Sequence, residues 1–91
     1  MSVKIHIPTP LRETTQGAAV VEVAGGTVGA ALADLGARFP ALTPKLFDQT
    51  GQVKRFLNLY LNDEDIRFLD NLETAVKDGD EVSIIPAVAG G

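Results

Sequence analysis

The clearest strand of this 91-residue chain lies in the stretch FLNLYLN at residues 56–62. Successive side chains of a strand point to opposite faces, so Leu57, Leu59 and Leu61 share one face. Phe56 and Tyr60 share the other face with two asparagines. An apolar face opposite a mixed one is typical of a sheet that packs on a core with one side only. We therefore expect the leucines to face a covering helix, and Phe56 and Tyr60 to point outward.

The covering helix is predicted directly after residues Gly25-Gly26. Thr27 is suited to the N-cap position, and Pro40 ends the helix. Between them, apolar residues recur at spacings of three and four, which gives one apolar stripe. The stripe consists of Val28, Ala31, Leu32, Leu35 and Phe39.

Further strands are indicated by alternating or short apolar runs at residues 3–7, 19–23, 66–68 and 82–85. Residues 12–17 are interpreted as a loop, and residues 42–47 as one further helical turn. The order is then strand, strand, helix, strand, short strand, strand. One helix covers one face of such a sheet and little more. The sequence thus predicts an α+β protein with a ubiquitin-like β-grasp fold. Its mixed sheet has four to five strands, one main helix packs across it, and both terminal strands are central.

Composition restricts the function classes. The net charge of -4 argues against nucleic-acid binding, which needs a clustered basic surface. No stretch approaches the roughly 20 apolar residues of a membrane span. Without cysteine the chain has no disulfide framework and no thiolate site, which fits a cytoplasmic location. Ninety-one residues make one domain, which we place at residues 1–86, followed by a flexible tail at residues 87–91.

Side chains offer little chemistry. His6 is the only histidine, and without a carboxylate partner at a fixed spacing it does not indicate a catalytic base or a metal ligand. Strand alternation puts it opposite Val3, Ile5 and Ile7, so we interpret it as a surface residue. The acidic run Asp63-Glu64-Asp65 lacks the alternation and glycine of a calcium loop, so we expect a solvated turn and no metal site. By strand alternation, Ile85 points outward like Phe56 and Tyr60. These three residues form a predicted partner-docking surface beside the tail.

The tail itself carries the remaining candidate group, the Gly91 carboxylate. Glycine has no Cβ, so a Gly90-Gly91 end is thin enough for a narrow channel. Fully extended, residues 87–91 reach about 17 Å beyond the last strand. Ala87, Val88, Ala89 and Gly90 are therefore predicted to lie in another protein's active site and to deliver Gly91 there.

Residues 72–91 resemble the C-terminal signature of the MoaD/ThiS ubiquitin-like sulfur carriers. The shared features are an Asp-Gly-Asp-Glu-Val turn, an apolar strand, a proline and a terminal Gly-Gly. Residues 55–68 and 7–12 are most similar to the branch of this family that serves an actinobacterial cysteine pathway. In that family Ile85 matches a position that presents an apolar residue to the activating enzyme.

The resemblance implies a carrier that is not itself an enzyme and binds no cofactor. An E1-like enzyme would adenylate Gly91 with ATP, and a sulfur donor would convert the adenylate to a thiocarboxylate. A PLP-dependent cysteine synthase, or another sulfur-accepting synthase, would take the sulfur. A zinc metalloprotease would then release the cysteine.

Three alternatives stay open at the level of sequence. The chain could be the small subunit of molybdopterin synthase, or a ubiquitin-like modifier joined to lysines through Gly91. It could also be an interaction module with an inert tail.

Overall fold

A computed structural model of the protein describes residues 2–54 and 56–86. Its sheet has five strands in the spatial order β2-β1-β5-β3-β4. The strands are β1 (Ser2–His6), β2 (Val20–Ala24), β3 (Leu57–Leu61), β4 (Glu64–Asp65) and β5 (Glu81–Pro86). β1 runs parallel to β5, and the other neighbours are antiparallel, so the sheet is mixed as predicted. Both terminal strands have neighbours on each side, with β5 in the middle of the sheet.

The main helix, α1 (Val28–Arg38), starts where the sequence indicated. The Thr27 hydroxyl accepts a hydrogen bond from the Ala30 backbone N–H at 3.1 Å, which satisfies one of the free donors of the first turn. Thr27 also forms a β-bridge with Ala75, and Val76 donates to the Gly26 carbonyl. These contacts tie the start of the helix to the segment before β5. α1 therefore lies across one face of the sheet, which we call the core face.

Two glycines of α1 permit close packing. A Cβ added at Gly36 would lie 2.6 Å from Thr43 Oγ1, and one at Gly29 would lie 3.1 Å from the Leu72 carbonyl oxygen. Glycine weakens a helix interior by about 1 kcal/mol relative to alanine. Here its small size lets the next two segments approach the helix axis.

Apolar side chains of four strands and of the apolar stripe of α1 pack together on the core face. Leu57, Leu59 and Leu61 are buried, as are Val82 and Ile84 from β5, so the predicted strand alternation is confirmed. α2 (Thr43–Leu46) confirms the further helical turn and buries Leu46. Among the described residues, no helix is both long and apolar enough to cross a lipid bilayer.

Two predictions of secondary structure were wrong. Residues 12–17 are not a plain loop, because a 3-10 helix spans Thr9–Thr15. This helix ends at Thr15, whose buried hydroxyl donates to the carbonyls of Arg12 and Ala18.

The short strand was also misplaced. It lies at Glu64–Asp65, and Ile66–Phe68 is a 3-10 turn. Asn62 and Asp63 both have positive φ, 49° and 74°, which is the geometry of a tight two-residue hairpin turn. The chain therefore reverses at once, and β4 begins directly after the turn.

Candidate functional site

The position of the predicted tail follows from the register of β5. The site residues Ala87, Val88, Ala89, Gly90 and Gly91 lie outside the described residues, and their roles stay predictions. Pro86 is the last described residue and pairs with Leu57, the first residue of β3. The tail therefore leaves from the middle strand of the sheet, at the end where β3 begins.

The face of the sheet opposite α1 is not covered by any described element, and we call it the open face. Its side chains come from alternate positions of four strands, as the register shows. They are Ser2, Lys4, His6, Val20, Glu22, Ala24, Asn58, Tyr60, Glu81, Ser83 and Ile85.

Exposed apolar side chains lie on this face and at its margin. Ile85 and Val20 are each 45% exposed, Tyr60 is half-buried, and Phe56, just before β3, is 47% exposed. The Lys54 ammonium group lies 5.7 Å from the centroid of the Phe56 ring, within reach of a cation–π interaction. The predicted outward orientation of Phe56, Tyr60 and Ile85 is thus confirmed, whereas their role in docking is not tested by the geometry.

The centre of the open face is polar. His6 Nε2 lies 2.5 Å from Glu81 Oε1, and Ser83 is the register neighbour of His6. Both side chains are about half exposed, so this pair contributes little to stability. His6 is a surface residue as predicted, but the sequence did not reveal its carboxylate partner. Only the parallel pairing of β1 with β5 brings the two residues together.

The acidic run was predicted to be a solvated turn, and this is wrong for Asp65. Asp63 and Glu64 are exposed, but Asp65 is only 6% exposed. Its Oδ2 lies 2.7 Å from Arg67 Nη2 and 3.1 Å from Arg67 Nε, and its Oδ1 accepts the Arg67 backbone N–H at 2.9 Å. The hydrogen bonds from Arg67 hold the pKa of Asp65 below its ordinary value. Asp65 is therefore a structural anion.

A cleft of about 770 Å³ runs along the edge of β3 that β4 leaves uncovered. Its floor includes Leu57, Leu59 and Ile66, and its rim includes Lys54 and Glu73. Within residues 2–54 and 56–86, no three histidine or carboxylate groups come close enough to hold a metal ion.

A profile of the ThiS family matches residues 5–91 of the chain, which includes the end of β1, the strands β2 to β5 and the Gly-Gly end. The chain belongs to the ThiS family. The predicted resemblance is confirmed.

Individual relatives of this ThiS-family chain point to the same branch. It is 47% identical to the sulfur carrier protein CysO of Mycobacterium tuberculosis, with all of both chains covered. It also matches a chain in the crystal structure of the Amycolatopsis orientalis BexX/CysO complex, with a TM-score of 0.89 and 45% identity. That match covers 98% of this chain and 99% of that chain. The ubiquitin-like β-grasp fold is confirmed by this likeness.

A third relative is named as a modifier protein. The chain is 42% identical to small archaeal modifier protein 3 of Haloferax volcanii, over 71% of this chain and 70% of that one. The family thus includes proteins named as sulfur carriers and proteins named as modifiers.

Sequence reasoning missed Arg67 and Val20. Val20 belongs to an apolar run that reads as core, and only the register with His6 places it on the open face. The spacing of Asp65 and Arg67 held a weak signal, because an Asp two residues before an Arg can accept its backbone N–H at a turn.

Proposed function

We propose that this protein is a sulfur carrier whose Gly91 carboxylate is adenylated by an E1-like enzyme and converted to a thiocarboxylate. The observation that carries the proposal is the match of the ThiS family up to Gly91, together with full-length similarity to CysO. A free carboxylate is a poor electrophile, and adenylation supplies a good leaving group. The sulfur donor then attacks the carbonyl carbon and AMP leaves.

The fold supports this role because the sheet offers a docking surface and also carries the tail. The tail follows Pro86, whose neighbour Ile85 is exposed and whose partner Leu57 follows the margin residue Phe56. A partner that docks on the open face through Phe56, Tyr60 and Ile85 would receive the tail in a set direction. Tethering raises the effective concentration of the terminal sulfur at the acceptor.

The downstream steps of the proposal are those that the family resemblance implies. The thiocarboxylate sulfur adds to an aminoacrylate that a PLP-dependent cysteine synthase forms from O-phosphoserine, which gives a thioester. The thioester rearranges to an amide-linked cysteine, and a zinc metalloprotease hydrolyses that amide. The carrier binds no cofactor, and ATP is consumed by the activating enzyme. The BexX/CysO complex supports a protein partner for this branch. The proposal includes a synthase of specialised metabolism as a second acceptor class. We propose a cytoplasmic location for the cycle, because the activating enzyme consumes ATP.

One other function has an observation in its favour. The similarity to small archaeal modifier protein 3 supports a ubiquitin-like modifier, in which a lysine amine attacks the same activated Gly91. Both functions need adenylation and differ in the nucleophile. Blots for high-mass conjugates, compared with and without Gly91, separate them.

Adenylation is tested by ATP–pyrophosphate exchange with an E1-like enzyme that is active on another carrier. We expect exchange with the untagged chain and none when Gly91 is deleted or followed by an uncleavable extension. Circular dichroism should show that both altered chains remain folded, because the tail contributes no residue to the described core. Exchange that survives the extension would contradict the terminal-carboxylate mechanism.

A further inference from the structure

The ion pair of Asp65 and Arg67 stands at the edge of the open face and has no role in the proposed chemistry. Its two members are unequal: the Asp65 side chain is 6% exposed, and the Arg67 side chain is 66% exposed. The carboxylate already accepts the Arg67 backbone N–H, which is sufficient to cap the short turn at Ile66–Phe68. Three further hydrogen bonds, two from Nε and one from Nη2 of the guanidinium, hold an exposed arginine in one orientation.

That orientation leaves donors free. Arg67 Nε and Nη2 engage Asp65, while Nη1 makes no hydrogen bond to any residue of the described ranges. A guanidinium is planar and presents its donors in a rigid fork, so the engaged edge fixes the direction of the free edge. An arginine held in this way loses little side-chain entropy when a second group binds it.

The strand register places Asp65 on the open face, and the ion pair holds the Arg67 guanidinium beside it. Asp65 pairs with Tyr60, and Tyr60 pairs with Ser83 of β5. Paired residues of antiparallel strands lie on the same face of a sheet. The Arg67 guanidinium therefore extends the open face one strand beyond β3. Arg67 also lines the cleft together with Asn58, an open-face residue. Tyrosine and arginine are enriched among residues that dominate binding energy.

We propose that Arg67 is a specificity residue of the open face and binds a carboxylate on the enzyme that docks there. The inference rests on the proposed function, because it assumes that an activating enzyme uses this face. The partner that fits presents an apolar contact for Ile85 and an acidic side chain for the free edge of Arg67. A carboxylate is favoured over a neutral acceptor because hydrogen bonds between two charged groups are the stronger ones.

The test measures the Kd between the full-length carrier and an E1-like activating enzyme at several salt concentrations. We expect R67A to weaken binding about tenfold at low salt, as loss of a hydrogen-bonded charge does. R67K keeps the charge but loses the fork, so it should recover only part of the affinity.

The matched control is R38A. Arg38 is also an exposed arginine in an ion pair, with Asp34, but it lies on α1 away from the open face. R38A should bind like the wild type. The affinity lost in R67A should also shrink as salt rises, because salt screens an exposed charge contact.

The outcomes separate this inference from the proposed function. If the wild type supports no ATP–pyrophosphate exchange, the proposed function itself fails. If the wild type is active and R67A binds with wild-type affinity, only the role of Arg67 is refuted. A tenfold loss that is independent of salt, or full recovery in R67K, would contradict recognition of a carboxylate. Equal melting temperatures of R67A and R67K make the comparison between them independent of folding.

Discussion

The two faces of the sheet differ most clearly at two consecutive residues of β5. Ile84 points to the core face and is 3% exposed, whereas Ile85 points to the open face and is 45% exposed. The same side chain thus serves packing at one position and is available for contact at the next. The strand that holds the core together also leads into the tail, so a partner on the open face contacts the element that carries the reactive end.

The largest expected effect comes from placing aspartate at each of these positions. Ile84→Asp buries a charge without a partner, which costs more than most small domains can lose, so we expect no cooperative unfolding transition. The unfolding free energy of Ile85→Asp should stay within about 1 kcal/mol of the wild-type value, because the side chain at this position reaches solvent. Ile85→Asp should nevertheless weaken binding to the activating enzyme. Thermal denaturation measures the difference in stability between the two variants. An unfolded Ile85→Asp would show that the faces are assigned wrongly.

The next effect tests how closely the core face is covered. A Cβ at Gly25 would lie 2.6 Å from the backbone nitrogen of Ala31, whereas one at Gly26 would meet no atom within 4 Å. Gly25→Ala should therefore lose about 1–3 kcal/mol of unfolding free energy, the usual cost of overpacking. Gly26→Ala should stay within about 0.5 kcal/mol of the wild type. Urea titrations of the two variants measure the difference in unfolding free energy. Equal midpoints would mean that α1 packs less closely on the residue that follows β2 than the structure shows.

These examples show why the core face was predictable. Leu57, Leu59 and Leu61 alternate within one strand, and the α1 stripe repeats at helical spacing, so local periodicity is enough. Thr27 and Pro40 mark the helix ends by their own chemistry. The pairs His6–Glu81 and Tyr60–Asp65 depend on which strands become neighbours, and no local pattern encodes that. The open face was therefore predicted where alternation reached it, at His6, Phe56, Tyr60 and Ile85, but the pairs between neighbouring strands were not.

A smaller effect is expected at the helix cap. Thr27→Ala removes the acceptor for the Ala30 N–H and should cost about 1 kcal/mol. Thr27→Ser keeps the hydroxyl and should recover most of that loss. Chemical denaturation of the two variants gives the comparison. If Thr27→Ser is as unstable as Thr27→Ala, the hydroxyl is not the stabilising group.

The smallest effect concerns the pH dependence of the ion pair beside the open face. Because Arg67 lowers the pKa of Asp65 below its ordinary value of 3.8, the pair stabilises the fold above that pH. The contribution is lost as pH falls through the lowered pKa. Asp65→Asn should therefore have a lower Tm than the wild type at pH 7, and the gap should narrow below pH 3.8. Glu64→Gln, an exposed neighbour, should follow the wild type throughout; a gap that is constant with pH would contradict the ionic origin.

The central claim is that sulfur is carried on the Gly91 carboxylate. It is tested most directly by intact-mass spectrometry of the untagged chain after incubation with ATP, an E1-like enzyme and a sulfide source. We predict a mass increase that corresponds to replacement of one oxygen by sulfur, and fragmentation should place it at Gly91. An unchanged mass, with the same enzyme shown to load another carrier, would contradict the claim and favour an interaction module with an inert tail.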